Sequence, residues 1–278
     1  MIISNNKLNS PIGFVDSGVG GLTVLDNVRK ILPNENFLYY GDTIHTPYGD
    51  KSKEQLLEYS DNIFKFFEKQ GCKAVVMACN TTSSTIYDEI KDKYNFEIYP
   101  IVQSAAKILS ELPIKRLGIF ATRGTVLSGA YPREIARYNP DMKVFGQYCP
   151  DWVHIIENDL VYKEESIKIV ENDLKKMLEN EPEKIVLGCT HYPFLLDVLS
   201  KFAPKDLFID PAIEFARFIK SDLAAKGLLN NSNTVGNGKF YVSANPQLFK
   251  NSAKMFCELE ELPELLTFQN SSKTILVS

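Results

Sequence analysis

Lys73-Ala74-Val75-Val76-Met77-Ala78-Cys79-Asn80-Thr81-Thr82-Ser83 is the stretch on which the fold turns. Its apolar run, Ala74–Met77, is continuous, which predicts a strand buried on both faces; a half-exposed strand would alternate. Residues 53–70 precede it with Leu56, Leu57, Ile63, Phe64 and Phe67 at helical spacing, and residues 83–94 follow as a predicted helix. A buried strand between two amphipathic helices is the unit of a parallel α/β sheet. Ligands of such sheets bind beyond the carboxyl ends of the strands, where Cys79 falls.

The same pattern returns downstream. Lys184-Ile185-Val186-Leu187-Gly188-Cys189-Thr190-His191-Tyr192-Pro193-Phe194 again runs lysine, apolar strand, small residue, cysteine, threonine. A second pair matches in the same order: residues 11–25, PIGFVDSGVGGLTVL, and residues 116–129, RLGIFATRGTVLSG. Two ordered matches predict two related α/β halves, each supplying one strand-end cysteine. Further strands are predicted at 12–15, 37–40, 117–120, 144–147, 184–187 and 239–242. Helices are predicted at 22–31, 126–138, 164–179, 193–202, 212–226 and 246–257, with a loosely held end from residue 263.

Bulk properties limit the function classes. The 278 residues are 44% hydrophobic and 24% charged, with a net charge of −4. That leaves no basic field for nucleic acid or anionic lipid. The first ten residues lack a signal-peptide core, and no apolar run approaches the roughly 18 residues of a membrane span. The odd, widely spaced cysteines (Cys72, Cys79, Cys149, Cys189, Cys257) fit reduced thiols in a cytoplasmic enzyme.

A lone strand-end cysteine is commonly an inert small hydrophobe. The surroundings of Cys79 and Cys189 argue otherwise. Asn80, Thr81, Thr82, Ser83 and Ser84 follow the first, and Thr190 and His191 follow the second. Polar side chains and helix-start amides suit a carboxylate and favour a reactive thiol. Asp16 ends the first strand ahead of Gly18-Val19-Gly20-Gly21, either as a site residue or as a helix N-cap. Thr23 stands where a dinucleotide fingerprint needs glycine, and the Walker lysine is absent. Neither HExxH nor paired CxxC spacing occurs, so no metal is expected. Leu195 occupies the arginine position of a phosphatase loop. His191 is placed to assist a thiolate, or is a satisfied loop histidine; His45 and His154 have weaker claims.

Several blocks together resemble those of bacterial glutamate racemase, in the aspartate/glutamate racemase superfamily. They are Asp16–Val24 in sequence, Tyr40-Gly41-Asp42-Thr43, Pro47-Tyr48-Gly49-Asp50-Lys51-Ser52, Ala78-Cys79-Asn80-Thr81 and Leu187-Gly188-Cys189-Thr190-His191-Tyr192-Pro193. Weaker matches lie at Ala121-Thr122-Arg123-Gly124-Thr125, at Cys149-Pro150 with Glu157, and at Phe240-Tyr241-Val242-Ser243.

The resemblance implies two pseudo-symmetric α/β domains with central parallel sheets flanked by helices and the active site in the interdomain cleft. Residues 1–98 and 210–278 would form one domain, carrying Asp16 and Cys79. Residues 99–209 would form the other, carrying Cys189 and His191. It implies interconversion of L- and D-glutamate for peptidoglycan without a cofactor, Cys79 acting on the D-enantiomer and Cys189 on the L-enantiomer. Asp16 and His191 would assist them; Asp16, Ser17, Tyr48, Gly49, Asn80, Thr81, Thr190 and His191 would hold the substrate. Thr122, Thr125 and Glu157 are auxiliary candidates. The implied partner is a small-molecule substrate, with room for a homodimer and no membrane or nucleic acid. Gln103 and His154 depart from the family pattern. An aspartate racemase and a non-catalytic regulatory paralogue are the competing readings. A cysteine hydrolase using Cys189 and His191 leaves Cys79 unexplained.

Overall fold

The run Ala74–Met77 forms strand β3 of a seven-stranded sheet, and all four of its residues are buried. The computed structural model describes residues 5–268 and 276–277. The other strands of this sheet are β1 (Ile12–Asp16), β2 (Phe37–Gly41), β4 (Glu97–Pro100), β9 (Gly238–Val242), β10 (Glu264–Thr267) and β11 (Leu276–Val277). Their order is β11-β10-β9-β2-β1-β3-β4, parallel throughout except for β10 with β11. A second, all-parallel sheet holds β5 (Arg116–Ala121), β6 (Lys143–Tyr148), β7 (Lys184–Gly188) and β8 (Phe208–Ile209), in the order β6-β5-β7-β8.

The run β2-β1-β3-β4 in the larger sheet has the same connectivity as β6-β5-β7-β8 in the smaller. β3 therefore corresponds to β7, as the paired cysteine motifs require. The halves are related by topology as well as by local sequence.

Helices cover the sheets because their apolar stripes have nowhere else to go. Lys53–Lys69 buries Phe64 and Phe67 against one face of the larger sheet, each worth roughly 1.5–3 kcal/mol of burial. Its start is fixed by a capping box, with Ser52 accepting from the Gln55 amide. One apolar cluster runs through both halves, joining Ile12 and Phe14 to Leu117 and Ile119 by way of Val102 and Ala105 on helix Ile101–Ser110. The smaller half has its own core around Trp152, whose indole donates to Asp173 at 3.0 Å.

Several expectations need correction. The helix after Cys79 spans Asn80–Ile90, beginning at once after the cysteine. The span 126–138 is two helices, Arg123–Ser128 and Ala130–Ala136, broken where Gly129 takes φ +60. Residues 193–202 are a 3-10 turn (Tyr192–Leu195) and one short helical turn (Leu196–Leu199), since Pro193 cannot donate in a regular helix. The chain after residue 263 is not all loose: β10 pairs with β9 and buries Leu266. The rest of that expectation, 269–275 and 278, lies outside the described residues. Among the described residues no helix is long and apolar enough to cross a membrane.

Candidate active site

Cys79 and Cys189 follow the interior strands β3 and β7, so each emerges at the carboxyl edge of its sheet. Both line one cleft of about 380 Å³ that draws on the two halves. Larger hollows lie elsewhere, one of about 460 Å³ beside His45 and Tyr59. Neither cysteine lines it, so size alone is no guide to the chemistry.

The two thiols sit in unlike surroundings. Burial pushes the Cys79 thiol up to about 11, and the nearby Asp16 carboxylate adds to that push; the Thr82 amide and hydroxyl oppose it. Cys79 is therefore a thiol at neutral pH. Beside Cys189, the Nδ1 atom of His191 stands 3.9 Å from Sγ. The other ring nitrogen, Nε2, lies 3.1 Å from Oε1 of Glu157. That contact has ion-pair length without the alignment of a hydrogen bond, so Nε2 has no hydrogen-bond partner among the described residues. Burial works against a charged imidazole, yet the Cys189 and Glu157 contacts outweigh it and raise His191 to about 10.

Asp16 does not cap a helix. The helix it precedes, Leu22–Ile31, has Gly21 at its N-cap position. Asp16 Oδ1 instead accepts from the Gly18 amide at 3.0 Å, while Oδ2 is buried without a hydrogen-bond partner among the described residues. Burial raises this carboxyl above its usual range, with His191 and the Gly18 and Gly21 amides pulling the other way. A buried unpaired oxygen is costly, and such features concentrate at working sites.

Of the expected site residues, Ser17, Tyr48, Gly49, Asn80 and Thr81 line the cleft from the larger half. Thr122, Glu157, Cys189, Thr190 and His191 line it from the smaller. Asp16 and Thr125 do not. Asp16 is wholly buried behind it, and Thr125 reaches it through Thr122, 3.1 Å away between hydroxyls. His154 is exposed and bonds Asn158. His45 shares Asp42 with Tyr48, at 2.8 and 2.5 Å, one step back from the cleft. Thr46, Pro47 and Val153 also line it. The first two lie in or beside the Pro47-Tyr48-Gly49 block; nothing in the sequence singles out Val153. Gln103 ties helix Ile101–Ser110 to Ser83, its amide and carbonyl bonding the Ser83 backbone oxygen and hydroxyl at 3.1 and 2.8 Å. Cys149 and Cys72 are buried away from the cleft, and burial raises both thiols, Cys72 to about 12.

The halves meet at the cleft through direct contacts. Thr81 and Thr122 hydroxyls are 2.8 Å apart. The glycine loop after β1 lies so close to the Cys189 loop that a Cβ on Gly20 would stand 2.4 Å from Thr190 Oγ1 and 2.5 Å from His191 Cε1.

The sequence profile of the Asp/Glu/Hydantoin racemase family matches residues 40–219, which sets the class as a racemase, an isomerase. The glutamate racemase of Carboxydothermus hydrogenoformans is 38% identical over 90% of this chain and 93% of its own. The solved glutamate racemase of Francisella tularensis, in complex with D-glutamate, superposes with a TM-score of 0.87 at 30% identity, covering 94% of this chain and 98% of that one. The Thermus thermophilus glutamate racemase, bound to beta-chloro-D-alanine, does so with a TM-score of 0.82 at 34% identity over 94% and 98%. The chain belongs to the glutamate racemase family.

Proposed function

We propose that this protein interconverts L- and D-glutamate by two-base proton transfer, with Cys79 and Cys189 on opposite faces of the α-carbon and no cofactor. The observation that carries this is the pair of cysteines at corresponding strand ends, both lining one cleft. Inversion requires a proton to leave one face and another to reach the opposite face. One base cannot easily serve both, whereas two opposed thiols can.

With L-glutamate, the Cys189 thiolate takes the α-proton and becomes a thiol. The electron pair of the broken Cα–H bond stays on the α-carbon. Cys79 then delivers its own proton to the other face and is left as a thiolate. The D-to-L direction reverses these roles, so the protonation states of the pair are coupled. The preference of Cys79 for its thiol form suits it as the acid in the L-to-D direction. A charged His191 assists Cys189, and Asp16 holds Cys79 in the thiol form that it needs in the L-to-D direction.

The amine and carboxylates of the substrate would be held by Ser17, Tyr48, Gly49, Asn80, Thr81 and Thr190. The polar side chains that line the cleft suit a small charged ligand, and the Francisella tularensis relative holds D-glutamate. Residues 1–98 with 210–278, and 99–209, would be the two domains that meet over the substrate. The product would supply peptidoglycan synthesis in the cytoplasm.

The reading is tested by incubating purified protein with L-glutamate, and separately with L-aspartate, without added cofactor and following optical rotation. Decay of rotation to zero with glutamate is the expected result. No decay with glutamate rejects the reaction; faster decay with aspartate rejects the substrate.

A further inference from the structure

Cys79 occupies the N-cap position of helix Asn80–Ile90, and Thr82 is the third residue of that helix. An N-cap side chain ordinarily accepts a hydrogen bond from the amide of the second or third helical residue. No cap hydrogen bond closes on this sulfur, as suits a neutral thiol, which is a weak acceptor. The Thr82 hydroxyl is the second unusual feature. Thr82 is 1% exposed, and its Oγ1 makes no well-aligned hydrogen bond among the described residues, although it lies near enough to the Cys79 sulfur to favour the charged form. Helical threonines normally turn the hydroxyl to solvent or to the carbonyl four residues back; this one does neither.

A buried, unpaired hydroxyl weakens a fold unless some other state uses it. The two-base reaction has such a state. With D-glutamate, Cys79 must act as a thiolate, although burial and the Asp16 carboxylate both oppose the charge. We propose that Thr82 is a positioning residue for Cys79, holding its hydroxyl and amide ready to bond the sulfur when it is ionised. This rests on the two-base reading above. In that direction the Cys79 thiolate forms an S–H bond with the α-hydrogen, the Cα–H pair stays on carbon, and Cys189 gives its proton to the opposite face. Thr82 transfers nothing: its O–H and N–H bonds stay intact and donate only to the anionic sulfur, where such bonds are strongest. Cys189 is served differently, by the His191 ring two residues on.

The test compares wild type with Thr82→Val and Thr82→Ser, measuring kcat/KM in both directions against pH, and Tm. Because two enantiomers are equal in free energy, kcat/KM must change equally in both directions. Thr82→Val should lower it about tenfold and move its thiolate limb up by about one pH unit. Tm should stay level or rise, since an unpaired buried hydroxyl is removed. Thr82→Ser, which keeps the donor, should retain most of the activity. A Thr82→Val enzyme within about twofold of wild type, an unmoved pH limb, or a lowered Tm would each overturn the proposal. Wild type that fails to racemise glutamate defeats the underlying reading instead, so the two failures are told apart.

Discussion

The hydroxyl of Tyr131 donates to Oδ1 of Asn80 at 2.9 Å, a buried hydrogen bond that reaches from the smaller half to the residue following Cys79. The Tyr131 ring also packs beside Gly188, just ahead of Cys189; a Cβ added at Gly188 would stand 3.4 Å from the ring. One side chain thus braces both strand ends. Its donation fixes the Asn80 amide and leaves the amide nitrogen for the cleft that Asn80 lines. Tyr131→Phe should cost about 1–2 kcal/mol of stability, because a buried acceptor loses its donor. Glutamate racemisation should show KM rising more than kcat falls, checked by steady-state kinetics beside denaturant unfolding.

Glu157 holds His191 in its charged form from the solvent side of the cleft. Glu157→Gln should lower the His191 pKa and reduce kcat/KM by about tenfold, with the alkaline loss of activity starting at lower pH. NMR titration of the imidazole gives the first, and a pH–rate profile the second.

The same histidine sets a stability trend. Its folded pKa, about 10, lies above the unfolded value of about 6.5. The stabilisation is therefore complete below about pH 6.5 and is lost as pH rises towards 10. Tm should fall over that interval in wild type, and less steeply in His191→Gln. Equal slopes in the two proteins would show that the shift is not there.

Gly20→Ala tests how closely the two loops must meet. The added carbon would stand 2.4 Å from Thr190 Oγ1, so the Cys189 loop has to move. An ångström of misplacement at a reacting group can cost about a hundredfold in rate. A loss of at least tenfold in kcat/KM is expected, with the circular dichroism of a folded protein retained.

Much of this is legible in the sequence because buried parallel strands declare themselves as unbroken apolar runs. β3 and β7 are such runs, and with them comes the placement of Cys79 and Cys189 at strand ends. The duplicated strand order is legible only as two local matches, since hydrogen-bond pairing leaves no mark on either strand alone. Boundaries fail where one residue decides them. Gly129 breaks an apolar helical pattern by adopting a left-handed backbone that the pattern does not encode. The polar run after Cys79 hides a helix start, because Asn80, Thr81 and Thr82 are weak helix formers whose side chains are all buried. The burial of Asp16 behind the cleft, and the lining role of Val153, depend on packing between distant segments and have no local signal. The two bonds of Gln103 to Ser83 join residues 20 apart and likewise have no local signal.

The two-thiol assignment is tested most directly by isotope exchange in deuterium oxide with L-glutamate, following α-deuterium by NMR and configuration by chiral chromatography. Wild type should yield D-glutamate carrying deuterium at the α-carbon. Cys79→Ala and Cys189→Ala should each abolish racemisation while remaining folded. A single variant that still racemises glutamate at the wild-type rate would contradict the assignment of Cys79 and Cys189 as the opposed acid and base.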